Sequence, residues 1–444
     1  MNTPSPAREK LALISLGCPK NLVNSEEMAA LLQSAGYAFT DDPADADAVI
    51  INTCAFIDSA KSEAIDRILE AAALREDNPS LKIIVTGCLA QRYSEEIRHE
   101  LPEVDGILGT GSYSQVVSVV ESVLGGDKPT LCGPISAPLQ DSPRVVSTGP
   151  NWAYLRIAEG CDNFCAFCVI PYLRGRYRSR TKESILEEAR LLSLSGVKEL
   201  IIVAQDITRY GTDIYHKHML APLLRELCKM DFQWIRLHYL YPEEIDDELI
   251  DTVAQEPKIV KYLDIPIQHI NDPILRRMNR KSTGELIRSL FSRLRERIPG
   301  LVLRTSLITG LPGEGEAEFE ELCSFLREAR IERAGVFPYS PEEGTPAAKM
   351  PDRCTTEEAE RRAALCMEIQ AEIMDDFARS FIGREIDVLT MGFEDDGTPW
   401  GRSEYDSPEI DSRVIFSGRA EPGEMVKVHI NDVDDGELIG ERVG

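Results

Sequence analysis

The amino-acid sequence predicts an α/β protein with three folded parts: a parallel-sheet βα domain, a partial (β/α)6 barrel and a small antiparallel β-barrel. Apolar runs alternate with amphipathic helical stretches in the first two parts, which is typical of parallel sheets covered by helices. In the third part, short strands alternate with turn signals. We therefore expect domains at 9–125, 147–378 and 379–444, and a Pro-, Gly- and Ser-rich linker at 126–146.

Each predicted strand is a short apolar run. The first domain has LALISLG, ADAVIINTC, LKIIVTGC and VDGILGTG. The second has WAYLRIAEG, KELIIVAQD, WIRLHYL, KYLDIPIQ, LVLRTSLITG and RAGVFPYS, and a helical stretch near 357–377 closes it. The third has EIDVLTMGF, DSRVIFSG, EMVKVHIND and ELIGERVG. In α/β barrels the chemistry lies at the carboxyl ends of the strands, so we expect functional residues there.

Charge and cysteine content limit the class of protein. A net charge of −26 gives no general attraction to nucleic-acid phosphates. No apolar run approaches the roughly 20 residues that a membrane helix needs, and the N-terminal stretch lacks a signal-peptide pattern. An odd number of cysteines, eleven, favours thiolate chemistry in a reducing compartment over a disulfide framework. We therefore expect a cytoplasmic protein without a membrane partner.

One cysteine trio follows the first strand of the predicted barrel. Cys161, Cys165 and Cys168 lie in EGCDNFCAFC, and no histidine stands between Asp162 and His216 to complete a four-ligand zinc site. A [4Fe–4S] cluster held by three thiolates leaves one iron open for another ligand. The trio therefore favours a catalytic cluster, and a three-cysteine zinc site with a distant fourth ligand is the alternative.

A second trio occurs once in each of three successive βα units. Cys18, Cys54 and Cys88 each follow a predicted strand, with spacings of 36 and 34 residues. The carboxyl ends of parallel strands share one edge, so these thiols can converge. The alternative is three buried structural cysteines. The other five are interpreted as packing or incidental residues: Cys132, Cys228, Cys323, Cys354 and Cys366.

The two trios, in this order, resemble the methylthiotransferase family of radical S-adenosylmethionine (SAM) enzymes, and the resemblance covers nearly the whole chain. It implies that the N-terminal trio binds a second [4Fe–4S] cluster and that the small β-barrel is a TRAM domain. It also implies that SAM binds at the open iron of the barrel cluster, where its reductive cleavage gives a 5′-deoxyadenosyl radical.

The motif LGCPKNLVNSE resembles the branch that modifies an aspartate of a ribosomal protein, since the tRNA branch typically has Gln-Met in place of Pro-Lys. The implied reaction adds a methylthio group to the β-carbon of an aspartate in a small-subunit ribosomal protein of the uS12 type. One SAM is the methyl donor and another the radical source. The resemblance implies an electron donor such as a flavodoxin or ferredoxin. Whether the substrate is free or ribosome-bound stays open.

The charge of the third domain supports the same branch. Residues 379–444 contain 16 acidic and 7 basic residues, a net charge of 7 − 16 = −9. Such a domain suits a basic protein and makes tRNA an unfavourable partner. Two alternatives stay open. One is a tRNA adenosine methylthiotransferase, and the other is a non-catalytic iron–sulfur protein that binds RNA or the ribosome.

The resemblance also implies residues around the cofactor, and for Phe167 the alternative is an aromatic side chain of the core. The implied SAM-binding residues are Phe167, Gln205, Asp206, Arg304, Ser306 and Gly310. The basic run YLRGRYRSRTK could neutralise carboxylates of cofactor or substrate, or pair with acids of the next helix, and Arg180 is the preferred contact. The basic stretch RRMNRKSTGE could meet a ribosomal surface or simply end a helix.

Overall fold

The computed structural model describes residues 9–139, 142–149 and 151–444. They form two compact units. Unit 1 comprises the described part of Met1–Ser147 together with Ala158–Arg180 and Glu342–Thr345. Unit 2 comprises the described part of Thr148–Ile157 with Thr181–Pro341 and Pro346–Gly444. Among the described residues, no helix is long and apolar enough to cross a membrane.

The elements follow one another in chain order. The strands are β1 Lys10–Ser15, β2 Ala38–Phe39, β3 Ala48–Thr53, β4 Lys82–Gly87, β5 Gly106–Gly109, β6 Thr130–Leu131, β7 Trp152–Arg156, β8 Ala158–Glu159, β9 Arg178–Ser179, β10 Glu199–Val203, β11 Trp234–Leu237, β12 Ile259–Asp264, β13 Val302–Thr309, β14 Arg333–Pro338, β15 Glu385–Phe393, β16 Pro399–Ser403, β17 Val414–Ser417, β18 Met425–Asp434 and β19 Glu437–Val443. The α-helices are α1 Pro19–Ser34, α2 Asp58–Ala73, α3 Cys88–Arg92, α4 Ser94–Glu100, α5 Val116–Leu124, α6 Ile170–Arg174, α7 Lys182–Leu194, α8 Leu220–Leu227, α9 Asp247–Gln255, α10 Asp272–Arg277, α11 Gly284–Arg297, α12 Glu316–Ala329 and α13 Thr356–Arg379.

Unit 1 is built on a six-stranded parallel sheet in the order β2-β1-β3-β4-β5-β6. The four runs predicted as strands became β1, β3, β4 and β5, because each is an apolar segment that is buried in the sheet. The short strand β6 was not predicted and lies within the stretch expected to be a linker, of which residues 140 and 141 are outside the described residues. Val169 and Leu173, from the segment between β8 and β9, pack into the same core as Val85.

Unit 2 contains a second six-stranded parallel sheet, in the order β14-β13-β12-β11-β10-β7. These are the six strands expected from the sequence, and each lies beside its neighbour in the chain order. The sheet is open, which confirms a partial barrel. Helix α13 contacts β14 and β13 and corresponds to the predicted closing helix.

The C-terminal strands of unit 2 close into a five-stranded barrel in the order β15-β16-β17-β19-β18. The predicted small barrel is confirmed, with two refinements. Strand β16 was not predicted, because its sequence PWGRS begins with Pro and contains Gly. Four of the strand pairs are antiparallel, whereas β17 and β19 pair in parallel.

Buried ion pairs join this barrel to the parallel sheet of unit 2, and we call them the seam. Glu199 on β10 lies 2.7 Å from Arg236 on β11 and 2.6 Å from Arg402 on β16. Arg333 on β14 lies 2.6 Å from Asp406. The seam makes the C-terminal barrel a packed part of unit 2.

Candidate cluster sites

The first cysteine trio lies at the carboxyl edge of the sheet in unit 1. Strands β1, β3 and β4 are neighbours and parallel, so their ends face the same way. Cys54 directly follows β3, and Cys18 stands three residues after β1, at the N-cap of α1. Cys88 directly follows β4, as predicted, and is the first residue of α3. The structure therefore gathers the three predicted positions at one edge.

Gly17 and Asn21 hold two of these loops together. Gly17 has φ +86°, and a Cβ there would lie 2.7 Å from Cys54 Cβ, so only glycine permits this approach. The Asn21 amide donates to the carbonyls of Leu16 and Thr53, each at 3.0 Å, and so ties the end of β1 to the end of β3. The motif GCPKN thus supplies both a thiol and the contacts that place it.

The pKa values of these thiols reflect their mutual proximity. Burial, with the negative charges of Cys18 and Cys88, raises the pKa of Cys54 to about 12. Burial also acts on Cys18, but the positive charges of Lys20 and Arg174 outweigh it and lower the pKa of that thiol. Burial raises the pKa of Cys88, and Arg174 opposes this shift. Two buried thiols and the half-buried thiol of Cys18 therefore interact with one another and with a nearby cation.

The second trio lies in the loop between β8 and β9 of unit 1. Cys161 and Cys165 are buried and Cys168 is half-buried. The Cys168 amide donates to the Cys165 carbonyl at 3.0 Å. The amide of Ile170 donates to Cys168 Sγ at 3.5 Å.

The donors of both trios fit iron–sulfur clusters. In the described part of the chain, no group of three or more His, Cys, Asp or Glu side chains is arranged to hold a single metal ion. A cubane cluster binds each thiolate through a different iron, so its three sulfurs need not converge on one point. Soft thiols without neighbouring histidine ligands suit such a cluster better than they suit zinc.

The residues implied to contact SAM are placed as follows. Phe167 is half-buried, and Arg180 is buried. In unit 2, Gln205 and Asp206 follow β10, and Asp206 accepts hydrogen bonds from the amide and hydroxyl groups of Thr208. Asp206 therefore has a structural role in this turn, whether or not it also meets a cofactor.

The other implied SAM contacts belong to β13 and the turn that follows it. Arg304 pairs with Asp264 at 2.7 Å, and Ser306 is half-buried on the same strand. Gly310 has φ +76°, and its amide donates to Glu314 at 2.9 Å. A Cβ on Gly310 would lie 2.5 Å from the Cβ of Ala359, so glycine is required for packing alone.

The basic run contains a residue whose importance the sequence did not reveal. Arg174 is 3% exposed and contacts Asn24, Glu159 and Cys88, whereas Arg180 was the expected contact. The exposed Arg176 pairs with Asp162 at 2.6 Å. Both arginines pair with acids that precede them and not with those of α7. No local pattern in this run marks Arg174, because its partners Asn24 and Cys88 are 150 and 86 residues away.

Comparison with known proteins adds a family to this geometry. Family models match an uncharacterized protein family, UPF0004, over residues 10–109, the Radical SAM superfamily over 155–326 and the TRAM domain over 382–443. The chain is 47% identical to the ribosomal protein uS12 methylthiotransferase RimO of Lachnoclostridium phytofermentans, over 97% of this chain and 99% of the relative. It is 47% identical to the protein of the same name from Geobacter sulfurreducens, over 99% and 100%.

A solved structure supports the fold. The radical S-adenosylmethionine methyltransferase TsrM from Kitasatospora setae aligns with a TM-score of 0.56 at 14% identity, over 88% of this chain and 84% of that one. Together with the order of the matched domains, the comparisons define a radical SAM enzyme of the methylthiotransferase class. Within that class, the chain belongs to the RimO family of ribosomal protein methylthiotransferases.

Proposed function

We propose that this chain is a radical SAM enzyme that adds a methylthio group to the β-carbon of an aspartate in ribosomal protein uS12. The observation that supports it best is the pair of cysteine trios, one at the sheet edge and one between β8 and β9. Near full-length identity to RimO proteins favours this substrate over tRNA and over a non-catalytic scaffold.

The proposed ligands divide the chemistry between the trios. Cys161, Cys165 and Cys168 would hold the cluster whose open iron binds SAM and whose electron cleaves it. Cys18, Cys54 and Cys88 would hold the cluster that supplies the sulfur. The chain's part is to hold the cysteines of each trio in position; at the sheet edge, Gly17 and Asn21 bring the loops after β1 and β3 together.

The residues proposed to contact SAM are Phe167, Arg180, Gln205, Asp206, Arg304, Ser306 and Gly310. Gln205 and Asp206 follow β10, and Gly310 follows β13; these positions support the proposal, because barrels place their chemistry at the carboxyl ends of strands. Arg304 is already paired with Asp264, so it does not bring an unpaired positive charge. We propose that it orients the Asp264 carboxylate or a hydroxyl group of the cofactor.

The remaining proposals concern partners, compartment and domain limits. We propose a one-electron donor such as a flavodoxin or ferredoxin, a cytoplasmic location and no membrane partner. The partner is uS12, free or on the ribosome, and tRNA is disfavoured by the charge of residues 379–444. We keep the domain limits 9–125, 147–378 and 379–444.

Mass spectrometry tests the proposal directly. The reconstituted protein is incubated anaerobically with SAM, sulfide and dithionite, in parallel with uS12, small ribosomal subunits or tRNA. We expect a methylthio adduct on one aspartate of uS12, together with 5′-deoxyadenosine. An adduct on tRNA adenosine alone would transfer the chain to the tRNA class, and absence of 5′-deoxyadenosine in every reaction would support a non-catalytic role.

A further inference from the structure

Arg174 brings a buried positive charge to the first cysteine trio, although it belongs to the segment that carries the second. Its Nη2 lies 3.5 Å from Cys88 Sγ. Its Nη1 lies 2.7 Å from Asn24 Oδ1 and 3.2 Å from Glu159 Oε2. The same guanidinium also donates to Asn21. A rigid fork of N–H donors therefore fixes the sulfur of Cys88 relative to the start of α1.

The backbone next to Arg174 holds the other trio. The amide of Cys161 donates to the carbonyl of Gly175 at 3.1 Å. A Cβ on Gly160 would lie 2.6 Å from that same carbonyl oxygen, so the two loops touch. Leu173, on the other side of Arg174, packs in the core with Cys88 and Val85. Arg174 is thus held from both sides and cannot withdraw from Cys88 without disturbing Cys161.

The charges around Arg174 suggest its role. Among the described residues, its hydrogen-bonding contacts are one carboxylate, two amide oxygens and one thiol. Burial of an arginine is costly unless negative charge compensates it. A cluster held by three thiolates is anionic and becomes more so on reduction, and hydrogen bonds to its sulfurs and nearby positive charge raise its reduction potential.

We propose that Arg174 is a positioning residue that fixes Cys88 and supplies the buried positive charge that raises the reduction potential of the N-terminal cluster. The inference rests on the proposed function, because it takes Cys18, Cys54 and Cys88 as ligands. It goes further by assigning a residue of the other cysteine segment to this cluster. Changes at Arg174 therefore report on the first site even though its sequence neighbours belong to the second.

The test is a redox titration of the full-length chain with C161A, C165A and C168A, so that only the N-terminal cluster gives an electron paramagnetic resonance signal. Arg174→Met removes the charge and keeps the aliphatic stem, whereas Arg174→Lys keeps a charge without the fork. Arg176→Met is the matched control, since it removes an exposed arginine two residues away. We expect a more negative potential for R174M, a smaller shift for R174K and none for R176M.

Each outcome decides the inference. An R174M potential equal to that of the parent, with equal iron content, would overturn it. If R174M holds no iron, R174K becomes the decisive variant. A potential and an iron content in R174K equal to those of the parent would support the role of the positive charge. Iron loss in both variants, with unchanged unfolding, would support the role in placing Cys88. Iron loss in both variants together with impaired folding would overturn the redox role. A parent protein that holds no cluster with Arg174 intact would refute the proposed function and this inference with it.

Discussion

Two regions of the molecule bury arginines, and they do so in different ways. The seam of unit 2 places three arginines, Arg236, Arg333 and Arg402, among three carboxylates, Glu199, Asp406 and Asp411. In unit 1, Arg174 meets one carboxylate, Glu159, and otherwise faces amides and the Cys88 thiol. Each set has one carboxylate for each arginine, but only Arg174 also contacts a thiol, that of Cys88, which we propose to be a cluster ligand.

The partners of each buried arginine indicate whether it has a structural role or a role at a ligand site. The carboxylates of the seam already carry negative charge, so that network can hold two sheets in register without a ligand. Beside Arg174, deprotonation of the Cys88 thiol on cluster binding would add a further negative charge. Burial and charge alone would not distinguish these arginines, but the chemistry of their partners does.

Removal of either trio should give the largest effects. Changing Cys161, Cys165 and Cys168 together to Ala should leave about four of about eight irons and abolish SAM cleavage. Changing Cys18, Cys54 and Cys88 should also leave about four irons but retain 5′-deoxyadenosine formation without methylthio product. Iron analysis, product chromatography and mass spectrometry measure these quantities.

Replacement of three cysteines outside both trios provides the control. Cys228, Cys323 and Cys366 belong to unit 2, and their replacement by Ala should leave iron content unchanged. Unchanged iron in either ligand variant would refute that ligand set. Normal methylthio product after loss of the N-terminal trio would refute the division of labour between the clusters.

Breaking the seam should cost stability without a direct loss of cluster ligands. Glu199→Gln is nearly isosteric and leaves Arg236 and Arg402 without their carboxylate, so we expect about 3–5 kcal/mol lower free energy of unfolding. Lys427→Met removes an exposed pair with Asp387 and should cost at most about 1 kcal/mol. Urea unfolding of both variants gives the comparison. Equal costs would show that the seam is not a stabilising network.

The sequence predicted the elements better than their long-range contacts. The strands followed from apolar runs, and convergence of Cys18, Cys54 and Cys88 followed from the geometry of a parallel sheet. Neither rule reaches Arg174, because its partner Cys88 is 86 residues away. The seam could not be predicted for the same reason, since Glu199 and Arg402 are 203 residues apart. Local pattern fixes a strand, whereas such pairs depend on how the complete fold brings distant segments together.

The seam also refines the expected role of the C-terminal barrel in substrate binding. Deleting residues 379–444 would expose Glu199 and Arg333, so loss of binding could simply reflect loss of stability. Charge reversal at exposed positions avoids this. Asp395, Asp396, Asp434 and Asp435 are all exposed; Asp434 ends β18, and the other three lie in turns. Their reversal to Lys should weaken binding of uS12 about tenfold at low ionic strength, through slower electrostatically steered association.

The control reverses four exposed acids of unit 1 and so changes the net charge equally: Glu63, Asp66, Glu95 and Glu96. Binding is measured at two ionic strengths, because exposed charges are screened beyond about 10 Å at 0.1 M salt. Equal weakening by both sets would indicate a general charge effect and not a binding face on the barrel. Tight binding of tRNA in place of uS12 would favour the tRNA class.

The smallest expected effect is a pH dependence that distinguishes two carboxylates of the seam. Burial raises the pKa of Glu199, but Arg402 and Arg236 outweigh it, so the pKa of Glu199 lies below its ordinary 4.5 in the folded state. Its stabilising contribution is therefore present above pH 4.5 and is lost as the pH falls through the folded pKa. Burial raises the pKa of Asp406 above 3.8, because the opposing charge of Arg333 is too weak to cancel this effect. The contribution of Asp406 to stability therefore has the opposite sign to that of Glu199 and is lost as the pH rises. In urea unfolding, the difference between the parent and Glu199→Gln should shrink from pH 7 to pH 4, whereas Asp406→Asn should not reproduce that trend. A Glu199→Gln difference that is constant over this range would show that Glu199 does not titrate with folding, and the seam would then act through packing and not through charge.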